Sequence, residues 1–166
     1  MRTLLLASVL LPLSLSAYAD TIVDFKGTLV ADPCQVATDS EDQEVFFDVI
    51  PSKTFIKQNR SSPRPFRIHL TDCDLSLGNA VMFTFVGEKE ATQPGTFATT
   101  GEAKGIAIAL EDDDAMAVEN GKALPAKALT GEDSWFDFRA FVQSTGYESV
   151  KEGDFESVVT FSLEYE

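Results

Sequence analysis

Apolar and polar residues alternate along much of this chain, in short runs that are typical of β-strands. Phe66, Ile68 and Leu70 alternate with polar neighbours, which predicts a half-buried strand. Further strands are predicted at 80–86, at 105–110, at 135–142 and from about 157 to the end, with a brief apolar run at 45–50. The run at 80–86 is apolar on both faces, which predicts cover on both sides. No segment has a helical period, so the pattern predicts an all-β sandwich in one domain.

A further alternating segment begins at Asp20. One face of an extended strand there would carry Thr21, Val23, Phe25, Gly27 and Leu29. A glycine inside a strand weakens it, and often marks a place where another backbone approaches closely. On pattern alone, this segment is an ordinary first strand of the sandwich.

Residues 1–19 have the features of a secretory signal peptide. Arg2 supplies the positive start, residues 4–15 the apolar run, and residues 17–19 an Ala-Tyr-Ala cleavage site. The run is shorter than the roughly 20 apolar residues that a membrane-spanning helix needs. No later segment reaches that length, so we expect an exported chain without a membrane span.

The mature chain would be strongly acidic. Removal of residues 1–19 takes away Arg2 and no acidic residue, which leaves 147 residues with 12 Lys and Arg against 27 Asp and Glu, a formal net charge of −15. Such a surface repels phosphate backbones and anionic lipid headgroups, which argues against nucleic acid as a partner. A basic protein partner would be attracted.

Two cysteines, Cys34 and Cys73, are present. In an exported chain an even pair predicts a disulfide, which would stabilise the fold by about 4 kcal/mol in the chain-entropy model. The alternative is two buried free thiols. Two cysteines and one histidine do not complete a four-ligand structural zinc site.

Two acidic runs could suggest metal binding. The run 111–114, followed by Glu119, lacks the glycine and the alternating ligands of an EF-hand loop. We interpret it, and the run 39–44, as solvated turns. The sequence predicts no metal and no cofactor.

No residue set indicates catalysis. His69 alternates with apolar residues and should point to solvent, and no G-x-S-x-G motif accompanies it. The 27 acidic residues allow many carboxylate pairs of the glycosidase kind, but their spacing selects none. We therefore expect that the chain is not an enzyme.

Four motifs in order resemble the subunits of chaperone–usher fimbriae. The first is residues 24–30 with Cys34 seven positions after Gly27, and the second is F-x-I-x-L-x-x-C over residues 66–73. The third is the G-I-x-I-x-L strand at 105–110. The fourth is the end of the chain, with Gly153 fourteenth from the end and a penultimate Tyr165. Together they cover essentially the whole mature chain, which is similar to minor and adaptor pilins of the type 1 and P pilus families.

The resemblance implies an incomplete immunoglobulin-like β-sandwich that lacks its final strand. A donor strand would complete it: first one lent by a periplasmic fimbrial chaperone, then the N-terminal segment of the next subunit. This implies a signal peptide at 1–19, a donor-strand extension at 20–33 and a pilin domain at 34–166. The implied donor residues are Thr21, Val23, Phe25, Gly27 and Leu29, with Gly27 at a tight spot in the acceptor groove.

The resemblance also implies partners and a location. The chaperone would dock on the C-terminal strand through Gly153, Val159, Phe161, Leu163, Tyr165 and Glu166. The outer-membrane usher and the neighbouring pilus subunits would follow as partners, on a route through the periplasm to the cell-surface fimbrium, where the subunit contributes to cell adhesion.

Two other functions stay open from the residues. A self-contained secreted carbohydrate-binding β-sandwich would use Trp135 and Phe141 as a sugar platform. An unrecognised hydrolase is the other alternative, although no acid–base set can be named for it.

Overall fold

The computed structural model describes residues 22–29 and 31–166. The chain divides into two compact units, Met1–Val30 and Ala31–Glu166, and each is described by itself. The predicted signal peptide and Thr21 lie outside the described residues. Residues 22–29 form neither strand nor helix, so the strand predicted from the alternation in this segment is not formed within its own unit.

The described part of the second unit is built from antiparallel β-strands. Its helices are short: α1 (Thr38–Glu41), α2 (Thr54–Lys57) and a 3₁₀ turn (Tyr147–Ser149). The strands are β1 (Gln35–Val36), β2 (Arg64–Thr71), β3 (Ala80–Gly87), β4 (Phe97–Ala98), β5 (Thr100–Gly101), β6 (Ile106–Asp112), β7 (Ala117–Val118), β8 (Lys127–Ala128), β9 (Ser134–Ser144), β10 (Phe155–Glu156) and β11 (Val159–Tyr165). The predicted all-β fold is confirmed.

The strands form two main sheets and a small third one. The larger sheet has the order β1-β2-β9-β6-β4, and β7 also pairs with β6. The second sheet has the order β11-β3-β8, and β10 pairs with β5 to form the third. This order leaves β11 at an edge of its sheet.

Aromatic side chains join the two main sheets. The ring of Phe83 on β3 lies 4.8 Å from that of Phe136 and 5.4 Å from that of Phe138, both on β9. Phe85 also reaches Phe138, at 5.0 Å. Because inward residues alternate on both strands, these rings meet between the sheets and form the sandwich core.

Two expectations from the apolar pattern are wrong. The run at 45–50 forms no strand, because no strand of the described residues 31–166 lies beside it to pair with. The predicted cover on both faces of β3 is also incorrect. Phe83 is fully buried, but Val86 on the opposite face is 48% exposed, because no described element of the second unit packs over that side.

The predicted disulfide is confirmed. Cys34 and Cys73 are bonded and buried, and they lie beside the paired strands β1 and β2. The bond closes a loop between residues 39 positions apart. It therefore ties the start of the second unit to its larger sheet.

Replacing both cysteines by alanine should lower the free energy of unfolding by about 4 kcal/mol, because the unfolded chain regains the entropy of the open loop. Urea denaturation monitored by circular dichroism measures the change. Reduction of the unsubstituted protein serves as the control and should produce a similar loss. An unchanged midpoint in both samples would contradict a stabilising role for the bond.

Candidate functional site

The free edge of β11 is the most unusual feature of the second unit. All seven residues of β11 pair with β3, in a register that runs from Val159 opposite Gly87 to Tyr165 opposite Val81. Within the described residues 31–166, no strand pairs with the other edge of β11. The main-chain N–H and C=O groups along that edge are therefore free to pair with an added strand.

Side chains on β11 alternate between two environments. The inward residues are only half-buried and pack against the core. They are Val159, Phe161, Leu163 and Tyr165. The intervening Thr160, Ser162 and Glu164 are exposed. A central strand of a sandwich would bury its inward residues fully, so the inner face of β11 lacks part of its cover.

Residues 42–50 supply the facing wall. Val45, Phe47 and Ile50 are half-buried against the same core, whereas Phe46 is 74% and Val49 is 94% exposed. Phe47 contacts Phe155, which lies just before β11, with ring centroids 5.9 Å apart. Residues 42–50 and β11 thus both place half-buried apolar side chains on the same core, and no strand of residues 31–166 pairs with the free edge of β11. We call the apolar surface that they form the groove.

An apolar cavity lies near the beginning of β11. It is a small cavity of about 80 Å³ that is open to solvent. Its wall includes Ile50 and Phe55 on one side and Val150 and Phe155 on the other, with Ile106 and Val142 from the larger sheet. Polar residues Ser52, Lys151 and Glu152 also border it, so an aliphatic side chain entering here would contact a wall that is mainly but not entirely apolar.

The described residues of the first unit expose their apolar side chains. Phe25 is 92% and Leu29 is 100% exposed, and Val23 is 66% exposed. A Cβ atom added at Gly27 would meet no atom within 4 Å. Large apolar side chains exposed at alternate positions are typical of a surface that another protein covers.

Comparison with known proteins identifies the family. The model of the family described as "Fimbrial protein" matches residues 23–166. The chain belongs to the fimbrial protein family. The Fimbria A protein of Serratia marcescens is 32% identical over 145 residues, which cover 87% of this chain and 83% of that protein. The fimbrial adapter PapK of Escherichia coli is 34% identical over 155 residues, 86% of each chain.

Solved structures agree on the fold. The P pilus rod subunit PapA superimposes with a TM-score of 0.73 at 24% identity, over 81% of this chain and all of PapA. A subunit in the structure of a chaperone–usher pilus gives a TM-score of 0.72 at 25% identity, over 89% and 96% of the two chains. This fimbrial protein therefore has the immunoglobulin-like pilin fold and is a subunit of chaperone–usher pili. Its described residues include no helix long and apolar enough to cross a membrane.

Gly153 lies outside the C-terminal strand of this pilin. Its φ is +150°, and an added Cβ would come within 2.6 Å of the Cβ of Glu102 and 2.8 Å of the main-chain nitrogen of Ala103. The neighbouring Asp154 carbonyl accepts the N–H groups of Glu102 and Ala103 at 2.9 and 3.1 Å. Close packing before β10 thus explains this glycine, although the family resemblance groups it with the C-terminal strand.

Tyr165 and Glu166 close the end of β11. Burial raises the pKa of the Tyr165 hydroxyl above its ordinary value of 10.0, and the negative charge of Asp32 raises it further. The main-chain N–H of Glu166 donates to the carbonyl of Ala80 at 3.0 Å, and its carbonyl accepts the N–H of Asn79 at 2.9 Å. The last residue therefore continues the pairing between β11 and β3.

His69 points away from the core, as its parity predicts, but its side chain is largely covered and not free in solvent. Its ring stacks on that of Trp135, with centroids 3.7 Å apart, and its Nε2 atom lies 3.0 Å from a carboxylate oxygen of Asp133. Cross-strand pairing of β2 with β9 sets His69 directly opposite Trp135, which covers the imidazole. Phe141, the second residue of the suggested sugar platform, is buried beneath the guanidinium group of Arg60. These two aromatics therefore do not form one exposed platform.

The acidic run 111–114 is not a solvated turn throughout. Asp112 is buried, and its Oδ1 atom accepts the N–H groups of Asp114 and Met116 at 3.0 and 2.8 Å. The ammonium group of Lys127 lies 3.2 Å from Asp112 and also contacts Asp113. Lys127 thus supplies the positive charge between carboxylates that could otherwise surround a metal ion.

The contact between Lys127 and the acidic run shifts the pKa values of Asp113 and Lys127. The hydrogen bond from Lys127 lowers the pKa of Asp113 below its ordinary value of 3.8, although partial burial opposes the shift. Partial burial would lower the pKa of Lys127, but hydrogen bonds to Asp113 and Asp112 outweigh it and raise the pKa above 10.5. The contribution of Asp113 to stability is thus present above pH 3.8 and lost as pH falls through its lower folded pKa. The contribution of Lys127 to stability is present below pH 10.5 and is lost as pH rises through its higher folded pKa.

Replacing Lys127 by glutamine should lower the free energy of unfolding by about 3 kcal/mol, because the buried Asp112 loses its counter-charge. We expect the difference from the unsubstituted protein to be constant between about pH 5 and pH 9, and to shrink in acid as the carboxylates become protonated. Chemical denaturation over this pH range measures it. The control is Lys122→Gln, which removes an exposed ion pair with Glu119 and should cost at most about 0.5 kcal/mol. Equal losses in the two variants would contradict the role assigned to Lys127.

Proposed function

We propose that this fimbrial protein is a minor or adaptor subunit that joins its pilus by donor-strand complementation. Its groove would accept the N-terminal segment of one neighbour, and its own N-terminal segment would enter the groove of another. The observation that carries the proposal is the unpaired edge of β11 beside an apolar groove. On this proposal the subunit passes through the periplasm to the cell-surface fimbrium, where it contributes to adhesion and performs no catalysis.

The groove has the properties of an acceptor. An added strand would pair with the free edge of β11 and cover its half-buried inward side chains, which removes an edge that otherwise favours aggregation. Antiparallel pairing is the arrangement of the last strands in an immunoglobulin-like sheet. A donor in that direction would run from the end of β11 towards its beginning, and so towards the cavity lined by Val150 and Phe155.

The N-terminal segment has the properties of a donor. The side chains of Val23, Phe25 and Leu29 share one parity and are exposed, so they are available to fill pockets in a neighbouring subunit. Gly27 shares the same parity. Its missing side chain would let the donor backbone approach a point where large groove residues leave little room. Leu29 would enter the cavity at the far end of the neighbour's groove.

The same edge of β11 would serve the chaperone before assembly. A strand lent by a periplasmic chaperone would pair with β11, bury Val159, Phe161 and Leu163, and contact Tyr165 and Glu166. The usher would then exchange this strand for the donor of the next subunit. The similarity to PapK, whose name describes a fimbrial adapter, supports a minor or adaptor role. The short segment ahead of Gly27, seven residues from Asp20, supports the same role.

Co-expression with a fimbrial chaperone tests the proposal. We expect the mature chain to be degraded when it is produced alone, and to be recovered in a one-to-one complex when the chaperone is present. A donor peptide from another subunit of the same pilus should then raise the thermal midpoint. At a concentration a thousand-fold above its Kd, the peptide would add about 4 kcal/mol to the free energy of unfolding.

The control for this experiment is the same peptide with valine in place of its central glycine, which should stabilise the subunit far less. A stable monomer that responds to neither chaperone nor peptide would overturn the proposal.

Two substitutions should separate the donor segment from the acceptor edge. Gly27→Val should block insertion into a neighbour and leave this subunit's own chaperone complex intact, because a Cβ atom added at Gly27 meets no atom within 4 Å. Tyr165→Ala should instead reduce the periplasmic yield of the chaperone complex, because it removes an inward side chain of β11. Pull-down yields and pilus incorporation measure the two effects. Identical behaviour of the two variants would contradict the division.

A further inference from the structure

We infer that the groove of this subunit selects a donor strand from a different subunit over that of a second copy of this chain, because a carboxylate on the groove edge directly opposes a carboxylate on this chain's own donor segment. The inference rests on the donor-strand function proposed above. It adds the chemical kind of donor that the groove accepts.

Side-chain volume and overlap fix the register of a self-derived donor. In antiparallel pairing, one register sets Val23, Phe25, Gly27 and Leu29 against the four inward residues of β11. It sets Gly27 opposite Phe161 and Leu29 opposite Val159, with Val23 and Phe25 opposite Tyr165 and Leu163. The smallest donor residue then faces an aromatic ring that already packs 6.5 Å from Phe83 and 6.0 Å from Phe85. A shift of two residues in either direction would bring Phe25 or Leu29 against Phe161, so the volume at this position favours the register with Gly27 there.

This register determines which outward residues meet. Asp24 stands directly opposite Glu164, Lys26 opposite Ser162 and Thr28 opposite Thr160. Glu164 is exposed and lies on the free strand edge, so an added strand brings its neighbour within about 5 Å, measured between Cβ atoms. Like charges at directly opposed positions destabilise an antiparallel pair.

Other charges near the end of β11 do not remove this repulsion. Asp32 is exposed and acts electrostatically on Tyr165, which adds negative charge at the same end of the groove. None of the ion pairs among the described residues includes Glu164 or Asp32. Lys26 of the donor reaches Glu164 only along the diagonal, at about 7–8 Å, where its attraction is weaker than the directly opposed repulsion.

The groove therefore favours a donor strand with a neutral or basic residue at the position of Asp24. The formal net charge of −15 on the mature chain acts in the same direction, since it slows the approach of a second copy. For one opposed pair of like charges the expected discrimination is roughly two- to five-fold. This is a preference between donors that all fit the apolar groove.

Three peptides test the inference. The first has the sequence of residues 20–31, the second carries Asp24→Asn, and the third carries Thr28→Lys. Asp24→Asn removes a negative charge and Thr28→Lys adds a positive charge, so each substitution raises the net charge of the peptide by one. Only Asp24→Asn relieves the contact with Glu164. We would measure the rate at which each labelled peptide displaces the chaperone from the mature subunit, at about 50 mM and at about 500 mM salt.

We expect the Asp24→Asn peptide to enter the groove roughly two to five times faster than the unsubstituted peptide at low salt, and the difference to narrow at high salt. The Thr28→Lys peptide should show a smaller gain. In the subunit variant Glu164→Gln the unsubstituted and Asp24→Asn peptides should enter at similar rates. Equal rates for these two peptides in the unsubstituted subunit, or an equal gain from Thr28→Lys, would overturn the charge selection but leave donor-strand complementation in place. Failure of all three peptides to enter the groove would overturn donor-strand complementation itself, and this inference with it.

Discussion

The unpaired edge of β11 is the constraint on which the rest of this molecule depends. Main-chain polar groups at the margin of an apolar interior need partners, and inside residues 31–166 only β3 supplies them, on one side. The missing strand beside β11 has two consequences. Phe161 and the other inward residues of β11 are only half-buried, and residues 42–50 have no strand to pair with. Both features have one physical cause, which is that residues 31–166 supply no strand to cover these side chains.

The remainder of the second unit forms a firm frame around that gap. Phenylalanines in tilted and edge-to-face contact join the two main sheets, and the disulfide fixes the first strand beside β2. The side chain of Asn120 adds two hydrogen bonds to Gly87. Its Nδ2 donates to the Gly87 carbonyl at 3.1 Å, and its Oδ1 accepts the Gly87 N–H at 3.3 Å. None of these contacts involves the free edge of β11, so the frame does not depend on what pairs with that edge.

Long alternating runs made most of this fold predictable from the sequence. The strands β2, β6, β9 and β11 follow directly from their apolar parity, whereas two-residue strands such as β4 and β7 are too short to have a period. Parity also could not reveal contacts between distant segments. Nothing near Asp112 indicates that Lys127 returns to neutralise it, and the cover of His69 by Trp135 depends on a cross-strand register.

The stacking of Trp135 on His69 has a spectroscopic consequence. Trp135 is the single tryptophan of the chain, and it lies on β9, paired with β2 in the larger sheet and away from β11. Its emission depends on its contact with the imidazole ring and on the pairing of these two strands. Intrinsic fluorescence therefore reports the integrity of the frame and is nearly blind to the occupancy of the groove, for which a separate probe must be placed on the edge strand.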